Sequence, residues 1–447
     1  MRNKKRIPPS GKIRKEIVRI RDGRLTPEES DKSQLDLILH KAKLLIAQEI
    51  LETEIDDFLG RGYYQRDKSR SSNMGYRNGY EPKKLRTPEG IMNLAIPQVR
   101  NTLTPFQSRV RQFFKSRSEV LNKLAVEMYV GGLSTQDIED AFYITTGDRL
   151  LSKSSISRVT EILWDDYEAF TKRDLSKYEV VYLIVDAVYE SLRPYIKANE
   201  GILACYGVCQ DGRKVLLHAA LGNKENYEAW LDFFRNMVKR GLNTPVAITS
   251  DGAPGLIKAA DEAFPKSLRL RCWVHKMRNL AGKVPMHVWE LVKSEIAAIR
   301  DSSTYEEGSS LFVEFVNKYH SIYPSLTKCI LDDKQALLDL LKTPYRHRVF
   351  IRSTNLIERT FAEERRRTKV IPQFFSEKSC LKLVFTVLYR ASLRWRRMPM
   401  GKHEIKELVL LTKKLNIKLP TLVLLDRNTR KLTSHMQRKR RILAEIA

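Results

Sequence analysis

Three acidic residues, Asp186, Asp251 and Glu358, have the types and settings needed for metal-dependent phosphodiester chemistry. Asp186 follows the apolar run 180–185, and Asp251 follows the run 246–249. A carboxylate beside a buried strand is costly unless a cation or hydrogen bonds compensate it. Oxygen donors suit a hard cation such as Mg²⁺, and a pair of such ions activates a water or a 3′-hydroxyl and stabilises the leaving oxygen. Each aspartate taken alone also fits an ordinary turn.

The third acid lies in the string RSTNLIERTFAEERRRTK at 352–369. This pattern predicts a helix that is capped at its start by Ser353 or Thr354. Asn355 and Glu358 would then share one face of the helix, because they are three positions apart.

Two other acids on this helix, Glu363 and Glu364, compete with Glu358 on spacing alone. A solvated charged face would account for all three acids equally well. The helix also carries three consecutive arginines that are candidates to contact DNA phosphates, although a solvated basic stripe has the same pattern. These are Arg365, Arg366 and Arg367.

A C-x-x-H pair, Cys272 and His275, lies at the end of a predicted strand and has the spacing of half a zinc site. No second Cys/His pair stands at zinc-finger spacing, so we expect the pair to support the catalytic sheet, with His275 near the acids.

His218 and His347 lie in no motif. The five cysteines are an odd number spread along the chain, which predicts reduced thiols.

The chain is strongly basic, since its 447 residues include 80 Lys and Arg against 53 Asp and Glu, a net charge of +27. This balance favours a polyanionic partner, nucleic acid first, and the alternative is a basic protein kept soluble by its charge. No apolar run reaches the roughly 18 residues of a membrane span, and no apolar stretch follows the basic start as in a signal peptide. We therefore expect a cytoplasmic protein without a membrane partner.

The segment around the two aspartates has the pattern of a mixed α/β domain. Strand-like and helical runs follow one another in the order β-β-β-α-β-α-β, which is that of a ribonuclease-H-like fold. The runs are 180–189, 201–210, 214–222, 226–240, 245–252, 255–264 and 267–275. From 279 to 345 the pattern is helical only, which predicts an inserted all-α domain, and helices return at 353–369 and 377–397.

The N-terminal part has the features of a DNA-binding region. A basic arm at 1–34, expected to be mobile, precedes an amphipathic helix at 35–59. Between 60 and 120, thirteen Lys or Arg stand against four acidic residues, interleaved with tyrosines and glycines. Here the string GYRNGY predicts a tight turn that exposes Arg77 and Asn78, or else a hairpin turn with packing tyrosines.

A helix-turn-helix pattern follows, with an apolar helix at 120–129, a Gly-Gly-Leu turn, a helix capped by Ser134 and a further helix from Ser154. Helix pairs of this kind are also common as plain structure. The predicted domains are a basic flexible arm (1–34), an N-terminal helix and basic DNA-binding region (35–119), a helix-turn-helix-like region (120–178), the first part of the catalytic core (179–278), an inserted helical domain (279–350), the second part of the core (351–400) and a basic C-terminal tail (401–447).

Six motifs in this order resemble the bacterial Mutator-type insertion-sequence transposases, which carry an acidic triad on a ribonuclease-H-like core. The resemblance runs from about 35 to 395 and is specific through the order and spacing of the motifs. They are GYRNGY (75–80), GLST (132–135), SKSSISRVT (152–160), DAVYESLR (186–193), TSDGAPGLIKAADEAFPKSLRLRCWVHKMRNL (249–280) and STNLIERTFAEERRRTKV (353–370).

The resemblance implies that Asp186, Asp251 and Glu358 are the catalytic acids and metal ligands. Glu358 is preferred because it follows the Asn-Leu-Ile of the last motif. It also matches Cys272 and His275 to the C-x-x-H pair of the family, and we predict that these two and Asn355 support the acids. The residues that we predict to bind DNA are Tyr76, Arg77, Asn78, Arg193, Arg365, Arg366 and Arg367.

The function implied is cleavage and strand transfer at the terminal inverted repeats of an insertion sequence by a two-metal mechanism. Mg²⁺ is the expected cofactor, Mn²⁺ can substitute, and no nucleotide cofactor is expected. The expected partners are double-stranded DNA and further copies of the chain, at least a dimer when two ends are synapsed, in the cytoplasm near the nucleoid. A nuclease or resolvase on the same core remains an alternative. A non-enzymatic regulator would lack an acid, and all three are present.

Overall fold

The computed structural model describes residues 7–27, 29–30, 33–63, 65, 74–109, 116–191, 199–222, 226–369 and 376–419. Contacts between residues divide the chain into two compact units, Met1–Glu161 and Ile162–Ala447. We call them the N-terminal unit and the C-terminal unit and describe each by itself.

The N-terminal unit holds five helices and one hairpin in its described part. In chain order they are α1 (Pro9–Arg21), α2 (Gln34–Leu59), β1 (Met74–Thr87), β2 (Gly90–Thr102), α3 (Glu119–Val130), α4 (Thr135–Thr146) and α5 (Lys153–Val159). Ser33 caps α2, and Gly60 ends it in a left-handed conformation with φ of 62°. Such a conformation favours glycine, as the sequence indicated.

Helix α1 corrects the expectation of a flexible arm at 1–34. Its Ile13 and Ile20 are buried, and α1 packs along α2. Ser10 donates a hydrogen bond to Glu52, and Arg14 pairs with Glu49. The apolar residues of α1 recur at helical spacing. The Lys and Arg residues between them dominate the composition of the segment, and that composition predicted a flexible arm.

The segment between α2 and α3, which the sequence predicts as a basic DNA-binding region, contains the hairpin β1-β2. Its strands pair antiparallel, with Thr87 opposite Gly90 across the turn. Met92, Leu94 and Ile96 alternate along β2 and are buried in a cluster with residues of α2. The alternation has a period of two, which is the pattern of a strand with one covered face.

Helices α3, α4 and α5 pack against one another. Ser134 and Asp137 form a capping box at the start of α4, and Ser152 caps α5. The helices of the expected helix-turn-helix region are therefore present. The region ends earlier than its expected limit at 178, because the unit boundary follows Glu161.

A five-stranded mixed sheet forms the centre of the C-terminal unit. The elements up to its last strand are α6 (Ile162–Lys172), β3 (Val180–Ser191), β4 (Asn199–Cys209), β5 (Lys214–Gly222), α7 (Tyr227–Lys239), β6 (Ala247–Ser250), α8 (Pro254–Ala263) and β7 (Leu268–Arg271). The strand order is β5-β4-β3-β6-β7. The β5-β4 and β4-β3 pairs are antiparallel, whereas β3-β6 and β6-β7 are parallel.

Both faces of this sheet are covered. On one face, Leu183 and Val185 of β3 belong to a buried cluster with Trp230 and Phe234 of α7 and with residues of α8. On the other face, Tyr182 hydrogen bonds to the buried His347 at 3.0 Å. Helix α6 belongs to the C-terminal unit: it packs on β5, and its Tyr167 and Phe170 rings contact Phe385 of a later helix in edge-on and tilted arrangements.

Helices make up the rest of the described C-terminal unit. They are α9 (Trp273–Ala281), α10 (Met286–Asp301), α11 (Tyr305–Tyr319), α12 (Pro324–Asp332), α13 (Lys334–Leu338), α14 (Tyr345–Ile351), α15 (Asn355–Thr368), α16 (Glu377–Ser392) and α17 (Lys402–Lys414). We call α10 to α14 the inserted helices, since they occupy the segment in which the sequence predicts an all-α insertion.

Two further expectations need correction. Strand β7 ends at Arg271 instead of 275, so Cys272 precedes α9 and His275 lies on that helix. The segment 401–447 is not wholly a tail, because α17 buries Ile405 and Leu408; residues 420–447 lie outside the described part. Among the described residues, no helix has the length and apolar character of a membrane span.

Candidate active site

Asp186 and Asp251 follow paired residues of two neighbouring parallel strands at the same distance along the chain. Ile184 of β3 pairs with Thr249 of β6, the last pair of this ladder, and each aspartate lies two residues further on. Asp251 directly follows β6, as the sequence predicted. Asp186 lies within β3 rather than at its end, since β3 continues to Ser191 along β4.

The Asp186 carboxyl group is buried among other charged groups, with a relative exposure of 7%. Its pKa is raised to about 8, chiefly by burial and also by the nearby Asp251 and Glu358. A hydrogen bond of 2.9 Å from the Ala187 amide and the nearby His275 oppose this shift. In the metal-free protein at neutral pH, Asp186 is therefore mostly protonated. The third acid acts electrostatically on Asp186 although it is remote in sequence.

A tight turn follows Asp251 and holds its side chain. Asp251 Oδ1 accepts a hydrogen bond of 3.1 Å from the Ala253 amide. Gly252 has φ of +92°, and a Cβ atom there would lie 2.4 Å from the Cζ of Arg271. Both the backbone conformation and the available space therefore require glycine next to Asp251.

Glu358 lies on the first turn of α15, with its side chain half-buried. Thr354 is the residue before this helix, but its hydroxyl donates to Glu358 Oε1 at 2.7 Å instead of capping the helix. The expected side-chain cap by Ser353 or Thr354 is therefore wrong. Asn355 is the first residue of α15 and is half-buried.

Two residues of α9 approach the Glu358 carboxylate. His275 Nδ1 is 3.9 Å from Oε1, and Arg278 Nη1 is 3.7 Å from Oε2. The sequence indicated no role for Arg278, and it indicated Thr354 only as a possible helix cap. Arg278 is one helical turn beyond His275, which places the two on the same face of α9. That spacing was the available signal once His275 had been singled out.

The C-x-x-H pair joins the same cluster. The ligand atoms of Cys272, His275 and Glu358 all lie within 4.8 Å of one another, the one such group found in the described part of the chain. Thr354 contributes its amide, which donates to Cys272 Sγ at 3.4 Å. The sequence offered no third donor for this pair, because Glu358 reaches it only through the fold.

Cys272 and His275 perturb each other's protonation. Burial acts to raise the pKa of the Cys272 thiol, but hydrogen bonds with His275 and Thr354 outweigh burial and lower that pKa to about 7. The hydrogen bond to Cys272 raises the pKa of His275, and Glu358 adds to this effect. Each member of the pair therefore stabilises the charged form of the other.

The two acids that competed with Glu358 face elsewhere. Glu363 forms ion pairs with Arg366 at 2.9 Å and with Arg367 at 2.7 Å. Glu364 is fully buried in α15. Of the three, Glu358 is the acid that contributes to the pKa of Asp186. The structure thus places Glu358 within electrostatic reach of Asp186. Arg365 is exposed on this helix.

The other DNA-binding residues predicted from sequence lie apart from these acids in the chain. Arg193 lies outside the described residues. Tyr76 and Asn78 are exposed on β1 of the N-terminal unit. Arg77 is not on an exposed turn: it pairs with Asp56 and donates to the Arg61 carbonyl, and its side chain is 18% exposed. The pairing of the hairpin shifts register between Arg77 and Tyr80, where Gly79 has φ of 84°; the sequence predicted a turn at this place.

A family of known proteins matches this chain over most of its length. The sequence profile described as "Transposase, Mutator family" matches residues 19–398. That range includes all three acids and the C-x-x-H pair.

Individual relatives agree with this match. The chain is 30% identical over 351 residues to a transposase for the insertion sequence element ISRM5 of Rhizobium meliloti, covering 78% of this chain and 86% of the relative. It is 35% identical over 280 residues to a transposase for IS6120 of Mycolicibacterium smegmatis, covering 62% and 85%. A transposase for IS1201 of Lactobacillus helveticus is 28% identical over 350 residues, covering 78% and 93%.

Proposed function

The chain belongs to the Mutator family of transposases, and we propose from this premise that it cuts the ends of its insertion sequence and joins them to target DNA with Asp186, Asp251 and Glu358 as the catalytic acids. The observation that carries the proposal is geometric: Asp186 is buried, Asp186 and Asp251 each lie two residues beyond the paired Ile184 and Thr249, and Asp251 and Glu358 both contribute to the raised pKa of Asp186. Three acids from distant parts of the chain therefore share one electrostatic environment, and functional sites concentrate such shifts.

The cluster suits a hard divalent cation. Its donors are carboxylate oxygens, which are the ligands that Mg²⁺ prefers, and Mn²⁺ fits the same set. Burial, together with the nearby Asp251 and Glu358, disfavours the charged form of Asp186, and a bound cation would compensate that charge. We propose that Asp186, Asp251 and Glu358 hold the metal. When bound, it supplies Lewis-acid activation of the attacking oxygen and charge stabilisation of the leaving oxygen.

The chain's own residues prepare this site. Asp186 must release its proton before its carboxylate can serve as a ligand, because burial favours the neutral form. Thr354 fixes one oxygen of Glu358, and the Cys272-His275 pair backs the same carboxylate. Arg278 is 61% exposed at the edge of the cluster, where its guanidinium can meet a DNA phosphate.

We further propose a ribonuclease-H-like fold for the catalytic core. The support is the element order β3-β4-β5-α7-β6-α8-β7 in one mixed sheet with helices on both faces. In this proposal double-stranded DNA is the partner, the N-terminal unit recognises the terminal inverted repeats, and at least two copies of the chain act when the two ends are brought together.

An end-cleavage and joining assay with repeat-containing DNA tests this function. We expect Asp186→Asn, Asp251→Asn and Glu358→Gln each to abolish cleavage and joining in Mg²⁺ while DNA binding in a gel shift persists, because each change removes a metal ligand and no DNA contact. Glu363→Gln is the matched control and should stay active. The presence of joining products distinguishes a transposase from a nuclease on the same core, because a nuclease would give cleavage products alone. Near-normal joining by Glu358→Gln, with loss in Glu363→Gln, would refute the choice of third acid.

A further inference from the structure

We propose that Asp333, which lies among the inserted helices, positions the Asp251 turn of the active site through Arg271. This inference rests on the proposed function of Asp251 as a metal ligand. It assigns the inserted helices a role in the chemistry itself: they would hold one ligand of the site in place.

Arg271 connects the two sites. It is the last residue of β7 and stands opposite Ser250 of β6, the residue before Asp251. Its guanidinium lies against Gly252, where a Cβ atom would be 2.4 to 2.6 Å from Cζ, Nε and Nη1. The Asp251 turn therefore rests directly on the Arg271 side chain, and a shift of the guanidinium changes the space available to the turn.

Asp333 holds that guanidinium. Its Oδ2 accepts a hydrogen bond of 3.0 Å from Arg271 Nε and one of 2.7 Å from Lys276 Nζ. Both cations are almost fully buried, Arg271 at 7% and Lys276 at 2% exposure. Burial acts to raise the pKa of Asp333, but Lys276 and Arg271 outweigh it and hold that pKa below its ordinary value. Asp333 is therefore a charged carboxylate between two buried cations.

The guanidinium has few other contacts to fix it. Its Nη1 is buried and makes no hydrogen bond to any residue in the described ranges. Loss of the Asp333 charge would leave a buried cation without its carboxylate, which is strongly unfavourable, and Arg271 would have to move. Lys276 has a second acceptor, the Cys329 carbonyl, and is held independently. Arg271 is therefore the cation whose position depends on Asp333, and the Asp251 turn lies beside it.

The test compares Asp333→Asn with Glu295→Gln in the full-length protein. Glu295 is a second carboxylate of the inserted helices, and it pairs with Lys318 on the neighbouring helix. The readouts are the Mg²⁺ concentration for half-maximal end cleavage, the affinity for repeat DNA and the thermal unfolding temperature. We expect Asp333→Asn to raise the Mg²⁺ requirement about tenfold, as for a weakened ligand shell. Its DNA affinity should stay within about twofold of wild type, and Glu295→Gln should match wild type throughout.

A double-variant cycle tests the route through Arg271. If Asp333 acts through Arg271, then Asp333→Asn combined with Arg271→Met should raise the Mg²⁺ requirement no more than Arg271→Met alone. Additive effects would overturn this route. An unchanged Mg²⁺ requirement in Asp333→Asn with a lowered unfolding temperature would show a purely structural role and also overturn it. If Asp333→Asn fails to fold, Arg271→Lys serves as the test, because it keeps the charge but loses the planar group beside Gly252. It should still raise the Mg²⁺ requirement. A wild-type Mg²⁺ requirement in Arg271→Lys would contradict the inference.

Failure of this inference and failure of the proposed function give different results. If Asp251→Asn remains active, the function assigned to the acids is wrong. If Asp251→Asn is inactive while Asp333→Asn and Arg271→Lys need no more Mg²⁺ than wild type, only the positioning role fails.

Discussion

The Thr354 hydroxyl donates a hydrogen bond of 2.7 Å to Glu358 Oε1 across the first turn of α15. The Thr354 amide and hydroxyl also lie 3.4 and 3.5 Å from Cys272 Sγ. A single threonine therefore connects the C-x-x-H pair to the third acid. This geometry orients a carboxylate on a helix that begins at the next residue, where a misplacement of the ligand would weaken metal binding.

Thr354→Val should lower the rate of end cleavage about tenfold, because it keeps the shape of the side chain but removes the hydrogen bond that orients Glu358. DNA affinity should not change. Thr354→Ser keeps the hydroxyl and serves as the matched control, with near-normal cleavage expected. Equal rates for Thr354→Val and wild type would show that Glu358 needs no such support.

Arg278→Ala should weaken productive binding of DNA, because the guanidinium at the edge of the cluster can contact a DNA phosphate once Glu358 binds metal. The salt dependence of DNA binding should become shallower by about one unit in the log-log slope, as for one lost phosphate contact. Arg235→Ala removes an exposed arginine that pairs with Glu262 on another helix and is the control. If both variants have the same slope as wild type, Arg278 makes no phosphate contact.

The buried Asp186 predicts a pH dependence of stability in the metal-free protein. Its folded-state pKa, about 8, lies above that of an exposed aspartate. The folded state therefore binds the proton more tightly than the unfolded state, and this contribution to stability is present at low pH and is lost as pH rises to about 8. We expect the unfolding temperature in EDTA to fall more steeply for wild type than for Asp186→Asn over the range from pH 6 to pH 8, which spans about two pH units. Parallel curves for the two proteins would mean that Asp186 is not shifted.

Cys272 and His275 should support Glu358 without holding a resident zinc ion. The described chain offers them Glu358 as a third donor but no second Cys/His pair of the kind that structural zinc sites use. Metal analysis of the purified protein should therefore find clearly less than one zinc per chain. One tightly held zinc per chain that disappears in Cys272→Ser would contradict this prediction.

Base recognition by the hairpin should involve Asn78 rather than Arg77. Arg77 is engaged with Asp56, so Arg77→Ala should lower the unfolding temperature and reduce binding to repeat and random DNA alike. Asn78 is exposed and can offer an amide to an adenine edge. Asn78→Ala should lose about 1 to 3 kcal/mol of discrimination between the two DNAs. If Arg77→Ala instead loses affinity only for the repeat, the ion pair with Asp56 does not restrict its role.

The sequence was most informative where apolar runs end in a polar residue. The runs before Asp186 and Asp251 form neighbouring strands in the structure, and the helical pattern around Glu358 forms α15. Such patterns involve neighbouring residues and follow from burial, so they can be recognised in the sequence without knowledge of the fold. The helix α1 and the long strands of the hairpin β1-β2 were not predicted, because basic residues lie between their apolar positions.

Contacts between residues far apart in the chain could not be predicted from the sequence. Asp333 is 62 positions from Arg271, and Thr354 is 82 positions from Cys272. No spacing rule relates residues so far apart, because the path of the chain between them decides whether they meet. The same holds for Arg77, whose partner Asp56 lies on α2 and changes an expected DNA contact into a structural ion pair.

The most direct test of the proposed active site is the number of Mn²⁺ ions bound per chain, measured by electron paramagnetic resonance with cleaved repeat DNA present. The wild-type protein and Glu363→Gln should each bind about two ions, as a two-metal site requires. Asp186→Asn, Asp251→Asn and Glu358→Gln should each bind fewer. Full Mn²⁺ binding by all three of these variants would contradict the assignment of Asp186, Asp251 and Glu358 as the metal ligands.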